Sequence, residues 1–216
     1  MKPTDLREIL QYIPRFRDKT FVIAADGAVV THANFANLLL DIAVLRSLNI
    51  RVVLVHGAAQ QIAALAEEQS ATPSNLDGTG ITDDATLKLA LTAANGLTHE
   101  ILEGFATNDL RAANANAVVA HPLGILAGAD HLHTGKVERV DADLLQSLLA
   151  QGITPVIPPL GFDGEGNTFR LNSDAVALAI AKELKATKLL FISTEDGLCT
   201  DGQIIRQMIG PKLEAL

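Results

Sequence analysis

Residues 51–65 read RVVLVHGAAQQIAAL. Four apolar residues, Val52–Val55, run without a polar break, Gly57 follows within two positions, and good helix formers take over from Ala59. This is a strand, a glycine turn and a helix in fifteen residues. A second unit lies upstream in KTFVIAADGAVVTHANF, residues 19–35. The apolar runs of VVLV, and later of PVIP and LLFIS, are continuous rather than alternating. Strands of that kind, separated by helices, belong to a parallel sheet covered on both faces. In such sheets ligands sit beyond the carboxyl ends of the strands, so the loops after Ile23, Val55, Ile157 and Ser193 are the places to look.

Working outward, the pattern predicts strands at Thr20–Ala24, Arg51–Val55, Ala117–Ala120, Thr154–Pro158 and Lys188–Ser193. Helices are predicted at about Asn34–Ser47, Ala59–Gln69, Asp84–Gly104, Asp141–Ala150 and Ser173–Leu184, with Thr82 or Asp83 and Asn172 or Ser173 as caps. Residues 70–82 are turn-rich and read as an excursion off the sheet. Residues 121–141 suggest a small hairpin, and 161–167 a hairpin tip. An Asp196-Gly197 turn and a last helix near Gly210-Pro211 close the chain. Before the first strand, Leu6, Ile9, Leu10 and Ile13 form one apolar stripe on a helix over residues 4–17, capped by Thr4 and kinked or ended by Pro14. That stripe suits the domain's own sheet or another subunit. Residues 1–18 are thus a candidate oligomerisation arm, and 19–216 the domain proper.

The chain of 216 residues is 48% hydrophobic and carries a net charge of −8, enough apolar matter for a full core and no general attraction to nucleic acid or anionic lipid. A single cysteine, Cys199, excludes an internal disulfide and suits a reducing cytosol. The start is too charged for a signal peptide, and no apolar run reaches a membrane span's length. The expectation is a cytoplasmic protein.

Several positions bear on chemistry. Gly57 permits a tight turn, and the free amides opening the next helix favour an anion, with Ala58 allowing fairly close approach. The same turn equally serves a plain strand–helix connection. Asn172-Ser173-Asp174 precedes a helix; Asp174 can order a transferring group, and the trio can equally be a cap. Ser193 and Thr194 end a buried strand and can touch a nucleotide, or simply lead into a turn. His131 and His133, with His121 nearby, lack accompanying carboxylates or cysteines at ligand spacing, so no metal site is expected.

Together these units resemble the amino acid kinase family, in its acetylglutamate kinase branch. RLNSDAVALAIAKELKATKLLFISTEDGL, residues 170–198, is similar to that branch's nucleotide-side segment, and RVVLVHGAAQQI supports it. Residues 115–161 are similar to the kinase-like domain of bacterial N-acetylglutamate synthases, and the N-terminal helix resembles the one that interlaces subunits in arginine-sensitive members. The resemblance implies a three-layer α/β/α sandwich around a mainly parallel sheet. It also implies a homo-oligomer, arginine as an effector, and acetyl-CoA chemistry in a separate acetyltransferase domain. Its nucleotide and substrate positions fall on Gly27, Gly57, Ala58, Asn172, Asp174 and Ser193.

Active kinases of the family carry a lysine and two glycines in the first turn. This chain has Ala24, Ala25, Asp26 and Gly27 there. The second turn keeps one glycine of three, the substrate-gripping arginine is Gly80, and an asparagine is replaced by Arg170. Phosphoryl transfer is positioning plus stabilisation of phosphoryl charge, so losing the lysine and gaining Asp26 disfavours it. The resemblance therefore implies a kinase architecture whose kinase activity is lost, with ATP and magnesium bound only if that activity survives. An altered kinase using Asp174, and a free-standing metabolite sensor, are the competing expectations. By family standards the chain also stops early after its T-x-D-G turn.

Overall fold

The computed structural model describes residues 14–195, Gly197, 199–200 and 203–205. In chain order the first elements are β1 (Thr20–Ala25), α1 (Gly27–Val30), α2 (Phe35–Ser47), β2 (Arg51–His56), α3 (Ala59–Glu68) and α4 (Asp84–Thr107). Next come β3 (Ala112–Asn114), β4 (Val118–Pro122), β5 (Ile125–Leu126), β6 (Ala129–Asp130), β7 (Gly135–Val140) and α5 (Ala142–Ala150). The last are β8 (Thr154–Ile157), β9 (Leu160–Phe162), β10 (Thr168–Arg170), α6 (Ser173–Glu183), β11 (Lys188–Ile192), β12 (Cys199–Thr200) and β13 (Gln203–Ile204).

The central sheet has five strands in the order β11-β1-β2-β8-β3, and every pairing is parallel. The continuous apolar runs divide their side chains between two cores. Ile23, Ala25, Val52, Leu54 and Val156 face α2, α3 and α4. Val22, Ala24, Val53, Val55 and Ile157 face α5, α6 and a second sheet. Successive strand residues point to opposite faces, so a run that is apolar throughout needs cover on both sides. The α/β sandwich follows from that requirement.

A second sheet, β10-β9-β4-β7, stands beside the first. The strand expected at 117–120 was assigned to no particular sheet; β4 pairs antiparallel with β7 and touches β9 at Val119. The reason lies in its alternation: Val118 and Ala120 are buried, while Val119 and His121 are only half-buried. A strand with one wet face belongs outside a doubly covered sheet. The fifth central strand, β3, escaped the sequence reading because AAN is short and weakly strand-forming. The small hairpin expected in 121–141 is β5 paired with β6.

Helix α4 runs three residues past the expected Gly104. Gly104 is no terminator; a Cβ there would come within 2.7 Å of Leu39 Cδ1, so the glycine lets α4 pack closely on α2. Asp83 caps α4 by accepting from the Thr86 amide at 2.7 Å, and Asp141 caps α5 from Leu144 at 2.9 Å.

Of the expected N-terminal helix, Pro14–Phe16 are helical and residues 4–13 lie outside the described residues. Asp196 of the Asp-Gly turn and the last helix near Gly210-Pro211 also lie outside them. Among the described residues, no helix is long and apolar enough to cross a membrane.

Candidate functional site

The loop leaving β2 turns toward α3 on one face of the sheet. The loop leaving β8 turns toward the second sheet and α6 on the other. Between them opens a cleft of about 310 Å³ at the carboxyl ends of the strands. That is where an open parallel sheet offers a crevice, because its connections part in opposite directions there. Gly27, Gly57, Ala58, Asn172 and Asp174 all line this cleft. Ser193 does not. It lines a separate recess with Asn37, Leu38, Asp41 and Ile192, between α2 and β11.

The two glycine turns meet. A Cβ on Gly27 would run into Gln61 Oε1 and come within 3.1 Å of the Gly57 carbonyl oxygen. Gln61 Nε2 donates to the Gly27 carbonyl at 2.9 Å, joining α3 to the first turn. At Gly57 a Cβ would meet Ser173 Oγ at an ordinary 3.4 Å, so glycine serves the turn there rather than a tight fit. The N-cap of α3 is Ala58, with no side-chain cap. Its first amides therefore have no side chain of their own to satisfy them.

Behind Gly57 lies His56, fully buried. Its Nδ1 is 3.0 Å from the Gly57 carbonyl oxygen, and its Nε2 is 2.8 Å from Thr98 Oγ1. Burial pushes the imidazole down to about 4, so it is neutral at physiological pH. A carbonyl only accepts, which places the proton on Nδ1 and leaves Nε2 and the Ala94 carbonyl, 2.7 Å from Thr98 Oγ1, to share the one hydroxyl hydrogen. Sequence reading passed over His56; its one signal is a polar residue ending an apolar run.

The walls are acidic. Asp26 is exposed overall, yet its carboxyl is partly withdrawn from water, and that desolvation, followed by repulsion from Asp174, raises it above its ordinary 3.8. The penalty of holding this charge is present above the raised value and disappears as pH falls through it to the unfolded value. Asp26→Asn is therefore expected to stabilise the fold at pH 7 by roughly a few tenths of a kcal/mol after solvent screening. The gain should vanish below about pH 3.5. Urea unfolding of both proteins at pH 7 and pH 3.5 checks this, and an equal difference at both would exclude the electrostatic cause.

The cation among the lining residues is Arg170, 2% exposed and committed elsewhere. It donates to the Asn75 carbonyl at 2.8 Å, to Asn75 Oδ1 at 3.1 Å and to the Leu76 carbonyl. Burial lowers its pKa and Asp77 offsets part of that shift. Asn172 has a double structural duty. Its Oδ1 accepts from the Ala175 amide at 3.0 Å, capping α6, and its Nδ2 donates to the Asp77 carbonyl at 3.2 Å. Arg170 and Asn172 thus strap the 75–77 loop across the cleft, placing Leu76 and Asp77 in its lining. The sequence reading saw this loop only as an excursion; neither Asn75 nor Asp77 carries a signal without its distant partner.

His131, His133 and His121 do not converge. His133 Nε2 binds Asp84 Oδ1 at 2.6 Å, while His121 lies 3.8 Å from Glu138. Among the described residues, no group of three or more histidine, cysteine or acidic side chains is placed to hold a metal.

The comparisons with known proteins agree with this architecture. The model of the amino acid kinase family matches residues 19–210. The chain belongs to the amino acid kinase family. Within it, the chain is 38% identical over 226 residues to the amino-acid acetyltransferase of Pseudomonas putida (strain GB-1), covering 98% of this chain and 52% of that protein. Two solved structures of N-acetylglutamate synthase from Neisseria gonorrhoeae superpose closely. The one complexed with coenzyme A and L-arginine gives a TM-score of 0.91 at 27% identity, covering 100% of this chain and 53% of that one. The one complexed with coenzyme A and N-acetyl-glutamate gives 0.90 at 29% identity, covering 99% and 50%. The chain spans about half the length of the curated relatives it matches.

Proposed function

We propose that this chain is the kinase-like regulatory portion of an N-acetylglutamate synthase, which acetylates L-glutamate from acetyl-CoA at the entry to arginine biosynthesis. Its own phosphoryl transfer is lost, and L-arginine is its effector. Acetyl transfer and its coenzyme A belong to the half of the relatives that this chain does not match.

The observation that carries the loss of kinase chemistry is the charge of the cleft. Asp26, Asp77 and Asp174 line it, and Arg170 is its described cation. A nucleoside triphosphate brings several negative charges. The free amides of α3 offer about half an elementary charge in return. Arg170 spends its donors on Asn75 and Leu76, and no lysine stands at Ala24, which is buried in the core beneath. The described lining offers no uncommitted cation to the phosphoryl oxygens of ATP with magnesium. What these residues do is hold two turns together and strap a loop over them.

A kinase reading keeps one specific support: Gly57, Asn172 and Asp174 do share one cleft. A coupled assay with ATP, magnesium and N-acetylglutamate separates the two. The expected result is no ADP formation above background; turnover would overturn the regulatory reading. L-arginine at saturating concentration should raise the melting temperature, by about 2–4 °C for each kcal/mol of binding linkage. L-lysine, of like charge, serves as the control.

A further inference from the structure

The amino-terminal rim of the central sheet carries charge opposite to that of the cleft. Strands β2 and β11 begin on a basic residue, Arg51 and Lys188, and β1 and β3 directly follow one, Lys19 and Arg111. At the carboxyl rim stand Asp26, Asp77 and Asp174. The net charge of −8 is thus unevenly placed, and the amino rim is where an anion is drawn.

One part of this rim concentrates three guanidiniums. Thr154 pairs with Ala112, which brings Arg111 level with Ile153. Counting the β2–β8 register back from Leu54 and Val156 brings Arg51 level with Ile153 from the other side. Neighbouring strands lie about 4.8 Å apart, so the two arginines flank Ile153 with their backbones about 10 Å from each other. Side chains alternate along a strand. Val52 and Ala112 pack in the core beneath α2, α3 and α4, so Arg51 and Arg111 stand on the opposite face, that of α5.

Helix α5 ends there, at Ala150. Arg111 Nη1 donates to the Gln151 carbonyl at 3.2 Å. Arg46 Nη2, coming from the end of α2, donates to the Gly152 carbonyl at 2.7 Å. Arg51 and Arg111 are exposed and Arg46 is half-buried. Among the described residues, the acidic side chains that form ion pairs do so with histidines, and none pairs with these three arginines. The carbonyl end of a helix attracts cations, but it offers only about half an elementary charge. Three cations exceed it. Arg46 registers the excess: withdrawal from water, followed by repulsion from Arg51, lowers its pKa. A guanidinium has five N–H donors, so one carbonyl apiece leaves Arg46 and Arg111 with donors to spare.

We propose that Arg46, Arg51 and Arg111 form a binding site for a doubly charged oxyanion of the phosphate class at the end of α5. Phosphate oxygens accept from guanidinium forks in several directions, and two negative charges match what the helix end leaves over. A single carboxylate would leave more than one positive charge unmatched. The site lies at the rim opposite the cleft and does not depend on how the cleft is read.

The test is a titration of the nitrogen-15-labelled 216-residue chain with inorganic phosphate near pH 7, against sodium chloride at equal ionic strength. Two-dimensional NMR follows the arginine Nε–Hε signals and the backbone amides. Phosphate should shift Arg46, Arg51 and Arg111 saturably, and chloride should not. Arg51→Gln and Arg111→Gln, both at exposed positions, should each raise the dissociation constant by about fivefold or more, and Lys136→Gln on the second sheet should leave it unchanged. Shifts that grow linearly, that chloride reproduces, or that both arginine variants retain would overturn the proposal. Equal weakening by Lys136→Gln would overturn it as well, since that is general charge screening. So would shifts confined to the Gly27 and Gly57 amides, which would put the phosphate in the cleft instead.

Discussion

Arg170→Ala is expected to lower the unfolding free energy by about 3 kcal/mol. The guanidinium is buried and donates to the Asn75 carbonyl, the Leu76 carbonyl and Asn75 Oδ1, the last of which also accepts from the Gly78 amide. Truncation leaves those oxygens without their charged donor and opens a void beside the 75–76 loop. Arg170→Met refills most of the void, so the loss it retains, about 1–2 kcal/mol, measures the hydrogen bonds alone. Urea denaturation gives both numbers. Hydrogen exchange of the 74–80 amides should quicken in both variants. A loss below about 0.5 kcal/mol for alanine would mean that the strap does not hold the loop.

Gly78→Ala is expected to cost about as much, for a different reason. Gly78 has φ +78°, a conformation that side chains resist, at about 1 kcal/mol. Its added Cβ would also stand 2.6 Å from the Leu171 carbonyl oxygen and 3.1 Å from the Asn172 amide nitrogen. Both are backbone atoms and neither can swing aside, which adds about 1–3 kcal/mol of overpacking. Asn75 also accepts from the Gly78 amide at 2.8 Å, so this glycine belongs to the same strap as Arg170. The two substitutions should therefore be less than additive in a double-mutant cycle, since each releases the loop that the other strains. Strict additivity would assign the Gly78 cost to local strain alone.

Much of the framework was legible without coordinates. Val52–Val55, Val22–Ile23 and Val156–Ile157 are apolar on both faces, and no arrangement satisfies them except a covered parallel sheet. The caps at Asp83 and Asn172 were legible to within one residue, against Thr82 and Ser173, because a cap acts within three residues of itself; Asp141, read as the first residue of its helix, is its cap. Gly27 and Gly57 follow β1 and β2, which lie side by side, and Asp174 opens α6; that the three line one cleft is visible only in the structure.

What sequence could not supply are partnerships over long separations. Arg170 lies 95 residues from Asn75, and His56 lies 42 from Thr98. Nothing local distinguishes a buried, committed arginine from one free to grip a ligand, nor a neutral structural histidine from a catalytic one. The placement of β4 in a second sheet and the parting of Ser193 from the cleft are of the same kind. The sequence by itself determined the parallel sheet, its helices and the turns at its carboxyl edge, because periodicity and capping act over a few residues. Only the tertiary structure decided which charges face the cleft and which are spent on the strap, because burial and hydrogen-bond pairing are set by chain segments that meet only after folding.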